Sequence, residues 1–177
     1  MKSIKKLFNA ALLQIALLGA LAIGTLAPLP AQAISLTDYL ENKIVDWLIR
    51  GQTFTPPTSL FISLHTTSCS DSATGTEVTG GSYARASVVS SLANWAGTQA
   101  AASTTASTGT NGTTSNNAAI NFATPSAGWG TVTHFGIFDA STAGNMLICQ
   151  ALTASKTINS GDTVSFAAAA LTIQIDN

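Results

Sequence analysis

What this chain lacks first is charge. Asp, Glu, Lys and Arg make up 8% of its 177 residues, about a third of the globular average, and none occurs between Arg85 and Asp139. Such a surface cannot hold phosphates by ion pairing, which excludes nucleic acid as a partner. Little charge also means little repulsion between copies, so the composition suits a protein that sits in an assembly or outside the cell. Histidine is scarce too. Neither His65 nor His134 has a Cys, His or carboxylate at ligand spacing such as His-x-x-x-His or Cys-x-x-Cys, so no metal and no cofactor is expected. There is no Gly-x-Ser-x-Gly elbow. Asp71, Glu77, Asp139 and Asp162 fall in loops or turns, where a carboxylate caps and solvates. No catalytic residue is assigned, and a non-enzyme is expected.

What is present begins with an export-like leader. Lys2, Lys5 and Lys6 precede an apolar run over 7–29, then Pro30 and Ala31-Gln32-Ala33, with small residues at the two positions a signal peptidase requires. Residues 1–33 read as a signal peptide cleaved after Ala33, or as an uncleaved anchor, since the run approaches the ~20 residues that span a bilayer. Cleavage leaves 144 residues with four Lys/Arg against eight Asp/Glu, a net charge of −4. Membrane contact is expected only through this leader, and a cleaved leader implies a periplasmic or extracellular location.

Residues 34–51 read as an amphipathic helix. Ser35-Leu-Thr-Asp38 and Asp38-Tyr-Leu-Glu41 resemble capping arrangements with acids in the first turn, and Gly51 closes the segment. Leu36, Leu40, Ile44, Trp47 and Leu48 repeat at helical spacing. That stripe is a candidate subunit interface; it either covers the β domain or docks on a neighbouring copy.

Residues 52–177 read as strands and turns. Residues 59–65 and 83–89 are strand-like, 97–117 is a low-complexity polar loop that is either mobile or held by a partner, and 119–122, 163–166 and 171–176 are short strands. The organising segment is a hairpin whose arms cover 131–138 and 145–150, with 152–158 continuing or following the second arm. Its first arm is apolar on both faces, so it must be covered on both, as in a central pair. The fold class is therefore all-β: an antiparallel β-sandwich or jelly-roll-like domain preceded by one amphipathic helix.

Ser35-Leu-Thr-Asp-Tyr-Leu-Glu-Asn-Lys43, Gly80-Gly-Ser-Tyr-Ala-Arg85, Trp129-Gly-Thr-Val-Thr-His-Phe-Gly-Ile-Phe-Asp139 and Lys156-Thr-Ile-Asn-Ser-Gly-Asp162 resemble a family of small tailed-bacteriophage virion proteins, usually labelled tail fibre proteins, in the same order over residues 35–176. The resemblance implies a non-enzymatic virion component that assembles with copies of itself or with other virion proteins, and it supplies no catalytic residues. Met1 to Ala33 depart from the family members, which begin near the helix. The leader leaves open an exported bacterial surface, filament-forming or glycan-binding relative.

Cys69 and Cys149 are an even pair, either bridged, which export permits, or two separate thiols. Tyr83 and Arg85 alternate onto one face. Arg85 either pairs with Glu77 or Asp71 or meets a partner's carboxylate. Tyr83, Arg85 and Trp95 are the candidates for surface binding, where a Trp beside Tyr83 could stack on a sugar of a cell-surface glycan.

Overall fold

The computed structural model describes residues 35–175. The expected leader, its cleavage site and any membrane contact through it lie outside the described residues.

Ten elements follow in order: β1 (Ser35–Leu36), α1 (Asp38–Leu48), β2 (Ser59–His65), β3 (Ala86–Val89), β4 (Thr113–Ser115), β5 (Ile120–Asn121), β6 (Gly130–Phe138), β7 (Met146–Ile158), β8 (Ser165–Phe166) and β9 (Thr172–Gln174). Five strands form one sheet in the order β1-β7-β6-β2-β3, and two ribbons pair β4 with β9 and β5 with β8. Every pairing is antiparallel. The class is all-β with one short helix, as the alternation of apolar residues predicts.

The hairpin β6–β7 is the centre of the sheet because both its faces are apolar. Opposite β2, the register sets Ile62 against Ile137 and Leu64 against Phe135, while Phe61 meets Phe138, Ser63 meets Gly136 and His65 meets His134. Side chains alternate, so these two sets lie on opposite faces. The first set joins Val132, Phe122, Trp129, Leu171 and Ile173 in the larger core, which gathers residues of both ribbons. The second set makes a smaller core of Phe138, Met146 and Cys149 with Phe61 and Cys69.

Two expectations change, and an alternative left open for 152–158 is decided. The segment begins as a strand: Ser35 and Leu36 pair with Cys149 and Ile148, and α1 starts at Asp38 with Thr37 as N-cap, its side chain accepting from Leu40 N–H. Thr37 is buried and its hydroxyl donates to the Met146 carbonyl, so a tertiary contact decides where the helix starts. The loop 97–117 ends in β4 and is pinned by its own side chains. Gln99 donates to Thr105 Oγ1 (2.9 Å) and accepts from Thr108 N–H. Buried Asn116 donates to the carbonyls of Ala118 and Ala167 and accepts from Leu171 N–H (2.7, 2.8 and 2.9 Å). Finally, β7 is a single strand with an excursion: Val132 pairs with Lys156 but His134 pairs with Ala151, so Leu152 to Ser155 oppose the single residue Thr133, a bulge that bends the strand.

Candidate functional site

Five ionisable residues, Glu77, His65, His134, Arg85 and Tyr83, meet beside the smaller core. Glu77 is brought opposite His65 by an isolated antiparallel bridge, and His65 lies opposite His134 on β6. Glu77, His65 and His134 thus form one row across three neighbouring chain segments. His65 is fully buried, its Nε2 is 2.7 Å from Ser63 Oγ, and its Nδ1 has no hydrogen-bond partner. His134 is half-buried, its Nδ1 2.9 Å from Thr133 Oγ1. Burial holds both imidazoles below the usual range, and at His65 it outweighs the nearby Glu77 carboxylate, which favours the proton.

Arg85 ties this row to the hairpin tip. Its Nε and a terminal nitrogen donate to Glu77 Oε1 and Oε2 (2.9 and 2.7 Å), a bidentate pair. The other terminal nitrogen donates to the carbonyls of Ala140 and Ala143 (2.9 and 2.8 Å). The guanidinium lies 3.5 Å above the Phe138 ring, a stacked cation–π arrangement. Tyr83 completes the cluster: its hydroxyl donates to Glu77 Oε1 and accepts from Leu64 N–H (both 2.9 Å). Burial alone would raise the Glu77 carboxyl, but the hydrogen bonds from Arg85 and Tyr83 and the guanidinium charge outweigh it, so Glu77 stays below the usual carboxylate range. Burial pushes the Tyr83 phenol up.

Tyr83 and Arg85 make these contacts within the chain. The Arg85 side chain is 8% exposed, and its donors all face groups of this chain. The tryptophan beside Tyr83 is Trp129, edge-on at 5.2 Å, buried and donating to the Gly81 carbonyl, so no Tyr–Trp platform faces solvent there. Trp95 is half-buried. The backbone carbonyls of Ala140 and Ala143 left no trace in the sequence, because any residue supplies one.

Cys69 and Cys149 are joined in a disulfide with Cα atoms 5.9 Å apart. It fastens the loop after β2 to β7, across the smaller core. Gly136 is required under it: a Cβ there would stand 2.7 Å from Ser63 Oγ, 3.0 Å from His65 Nε2 and 3.2 Å from Met146 Sδ.

The helix offers a different surface. Leu36 lies on β1, and Leu40 and Ile44 are half-buried. Trp47 and Leu48 are 55% and 65% exposed, and Val45 and Ile49 50% and 75%. Val45, Leu48 and Ile49 stand at i, i+3 and i+4, on one side of the helix. Helical spacing put Trp47 and Leu48 on one stripe with Leu40 and Ile44, but only Leu40 and Ile44 are half-buried, while Trp47 and Leu48 are exposed with Val45 and Ile49.

The hollow lined by Lys156, Ile158, Asp162, Thr163, Val164 and Ser165 (about 360 Å³) and the two smaller ones at 96–115 and 87–121 are open to solvent and include none of His65, Glu77 or His134. Among the described residues, no group of three or more His, Cys, Asp or Glu could hold a metal ion, and no helix is long and apolar enough to cross a membrane.

The domain is a disulfide-tied β fold in which Glu77, Arg85, Tyr83 and His65 are gathered in one cluster and an apolar side of α1 is exposed. Residues 35–174 match the family described as Podophage GP4 fiber I protein gp80, and the chain belongs to that family. It is a phage structural protein of the fibre type, a component of the virion. None of the curated proteins compared with it matches.

Proposed function

We propose that this chain is a non-enzymatic fibre subunit that assembles through the outward face of α1, with a second copy of itself as the partner. The observation that carries this reading is the exposed group Val45, Trp47, Leu48 and Ile49 on a helix none of whose residues is buried. Val45, Leu48 and Ile49, on one side of the helix, together expose on the order of 300 Å², the size of the largest apolar patch on a typical monomer, which is often functional. The helix ends are complementary as well. Asp38 and Glu41 occupy the first turn and Arg50 follows the last, where it pairs with Asp46 of its own helix at 2.8 Å; antiparallel pairing of two copies would bring this exposed Arg50 near the acids of the other.

Analytical ultracentrifugation of the full chain tests this directly. The wild type should associate with rising concentration, and the triple variant Val45→Ser, Leu48→Ser, Ile49→Ser should sediment as a monomer with an unchanged β-type circular dichroism spectrum. A wild type that stays monomeric at about 100 μM, or a triple variant that associates as the wild type does, would overturn the reading.

A further inference from the structure

We propose that Asn111-Gly112 is a self-modification site: the Gly112 nitrogen attacks the Asn111 side-chain amide, and the loop before β4 acquires a carboxylate. Water is the only other reactant, and the site is independent of the α1 face.

Asn111 differs from other asparagines of the domain in what holds it. Attack by the next backbone nitrogen needs an uncrowded, uncommitted N–H and a side-chain amide free to lose its nitrogen. Asn111 is exposed and is the only asparagine followed by glycine, so no Cβ crowds the approach. Gly112 N–H donates to no group among the described residues, while the Gly112 carbonyl accepts from Ile175 N–H at 3.0 Å. Elsewhere the corresponding N–H is taken: after Asn94 by the Ser91 carbonyl (3.0 Å), after Asn116 by the Asn94 carbonyl (2.8 Å) and after Asn121 by the Val164 carbonyl (3.0 Å). Asn145 has its side-chain nitrogen tied to Asp139, and Asn159 is followed by Ser160, which has a Cβ. The loop also supplies the electrophilic side. Thr113 N–H donates to Asn111 Oδ1 at 3.1 Å. That bond polarises the side-chain carbonyl and meets the negative charge that grows on Oδ1 when the nitrogen adds, as an oxyanion-hole donor does. Thr113 Oγ1 donates to the Asn111 backbone carbonyl, also at 3.1 Å, which holds Thr113 in place.

The atoms balance without a cofactor. Hydroxide takes the Gly112 amide proton, the nitrogen bonds to Asn111 Cγ, and the Cγ–Nδ2 bond breaks as Nδ2 takes a proton from water and leaves as ammonia. Water then opens the cyclic imide at either carbonyl, giving aspartate or isoaspartate and releasing a proton. Each conversion places a negative charge in the run 86–138, which has no Asp, Glu, Lys or Arg. Asn111 borders the hollow at 96–115, whose lining is neutral, so the hollow turns anionic. Aspartate keeps an acceptor for Thr113 N–H. Isoaspartate lengthens the backbone by one carbon just before Thr113, which pairs with Gln174, and frays the β4–β9 ribbon at that end.

Peptide mapping by mass spectrometry tests the site on the full, disulfide-intact chain aged in neutral to mildly alkaline buffer. A gain of about one mass unit should appear at Asn111 before it appears at Asn121 or Asn159, as two products that resolve into aspartate and isoaspartate. Gly112→Ala should slow the gain about tenfold or more, because the added Cβ crowds the nitrogen. A synthetic peptide of residues 107–117 has the same Asn-Gly pair without the fixed Thr113 donor, and the folded chain should convert at least as fast as that peptide. This comparison uses the wild-type chain and decides the matter even where Gly112→Ala disturbs the ribbon. A folded chain that converts more slowly than the peptide, an Asn111 that stays intact while Asn159 converts, or a Gly112→Ala chain that folds and converts at the wild-type rate would each overturn the proposal.

Discussion

At the scale of single residues, the domain depends on groups that cannot be exchanged for near relatives. Gly136 is one. Alanine there would place its Cβ against Ser63 Oγ and His65 Nε2, both buried and mutually bonded, so Gly136→Ala should cost about 1–3 kcal/mol by overpacking. The urea midpoint measures it, and a variant as stable as wild type would mean that the strands can part there at no cost. Arg85 is the other. Removing it leaves a partly buried carboxylate and two carbonyls without their donor, and Glu77 is a quarter exposed, so solvent offsets part of the loss. Arg85→Met should therefore cost about 2–4 kcal/mol, towards the lower end for a broken buried pair. Arg85→Met combined with Glu77→Gln should cost clearly less than the sum of the two single changes, because each single variant strands its partner; strict additivity would show that the pair is not coupled.

At the scale of elements, what could be read from sequence followed from periodicity and turn chemistry. The β6–β7 hairpin was legible because 131–138 alternates with apolar residues on both faces, and its burial on both faces of the sheet follows from that. The helix was legible from its 3.6-residue repeat and Gly51, which adopts the left-handed conformation (φ +68°) two residues past the C-cap Ile49. β1 was not, since two residues carry no period and Ser35-Leu36 also fits a helix start. The pinning of 97–117 was hidden for a different reason: Asn116 and Gln99 look like any other polar residue in a run of them, and only the fold shows which amides meet buried carbonyls. In the candidate site, the lone cation Arg85 and its acid Glu77 stood out by scarcity, but His65 joined them through strand pairing alone. The cysteine count allowed a bridge and left it open; the structure draws it across a sequence separation of 80. Opening that loop by Cys69→Ser with Cys149→Ser should lower unfolding free energy by about 4 kcal/mol, mainly through the unfolded chain, which denaturant titration of the double variant would register. The outward face of α1 predicts the opposite. The triple serine variant there should change unfolding free energy by no more than about 0.5 kcal/mol when compared as monomers, since the replaced side chains are exposed. A large loss would show that the face is packed within the chain.

At the scale of the whole molecule, the scarcity of charge makes the few ionisable groups decisive for how stability responds to pH. His65 and His134 are held below an imidazole's ordinary 6.5 by burial. Glu77 is held below a carboxyl's 4.5 despite its burial, by Arg85 and Tyr83. At each site the unfolded chain binds its proton at a higher pH than the folded chain does, so stability rises with pH across the interval between the two values. The imidazole contribution is complete above about pH 6.5 and drains away as pH falls from there towards the folded-state values. The Glu77 contribution is complete above about pH 4.5 and is lost only below it. Unfolding free energy should therefore be level near neutrality, decline in a first stage below about pH 6.5 and decline again below about pH 4.5. Urea titrations at closely spaced pH values resolve the two stages. Replacing both histidines with glutamine should flatten the first while leaving the second, and Glu77→Gln should weaken the second while leaving the first. A profile that stays level from neutrality down to about pH 5 would mean that the buried imidazole is charged without cost in the folded domain, and burial could not then be what holds its proton affinity down.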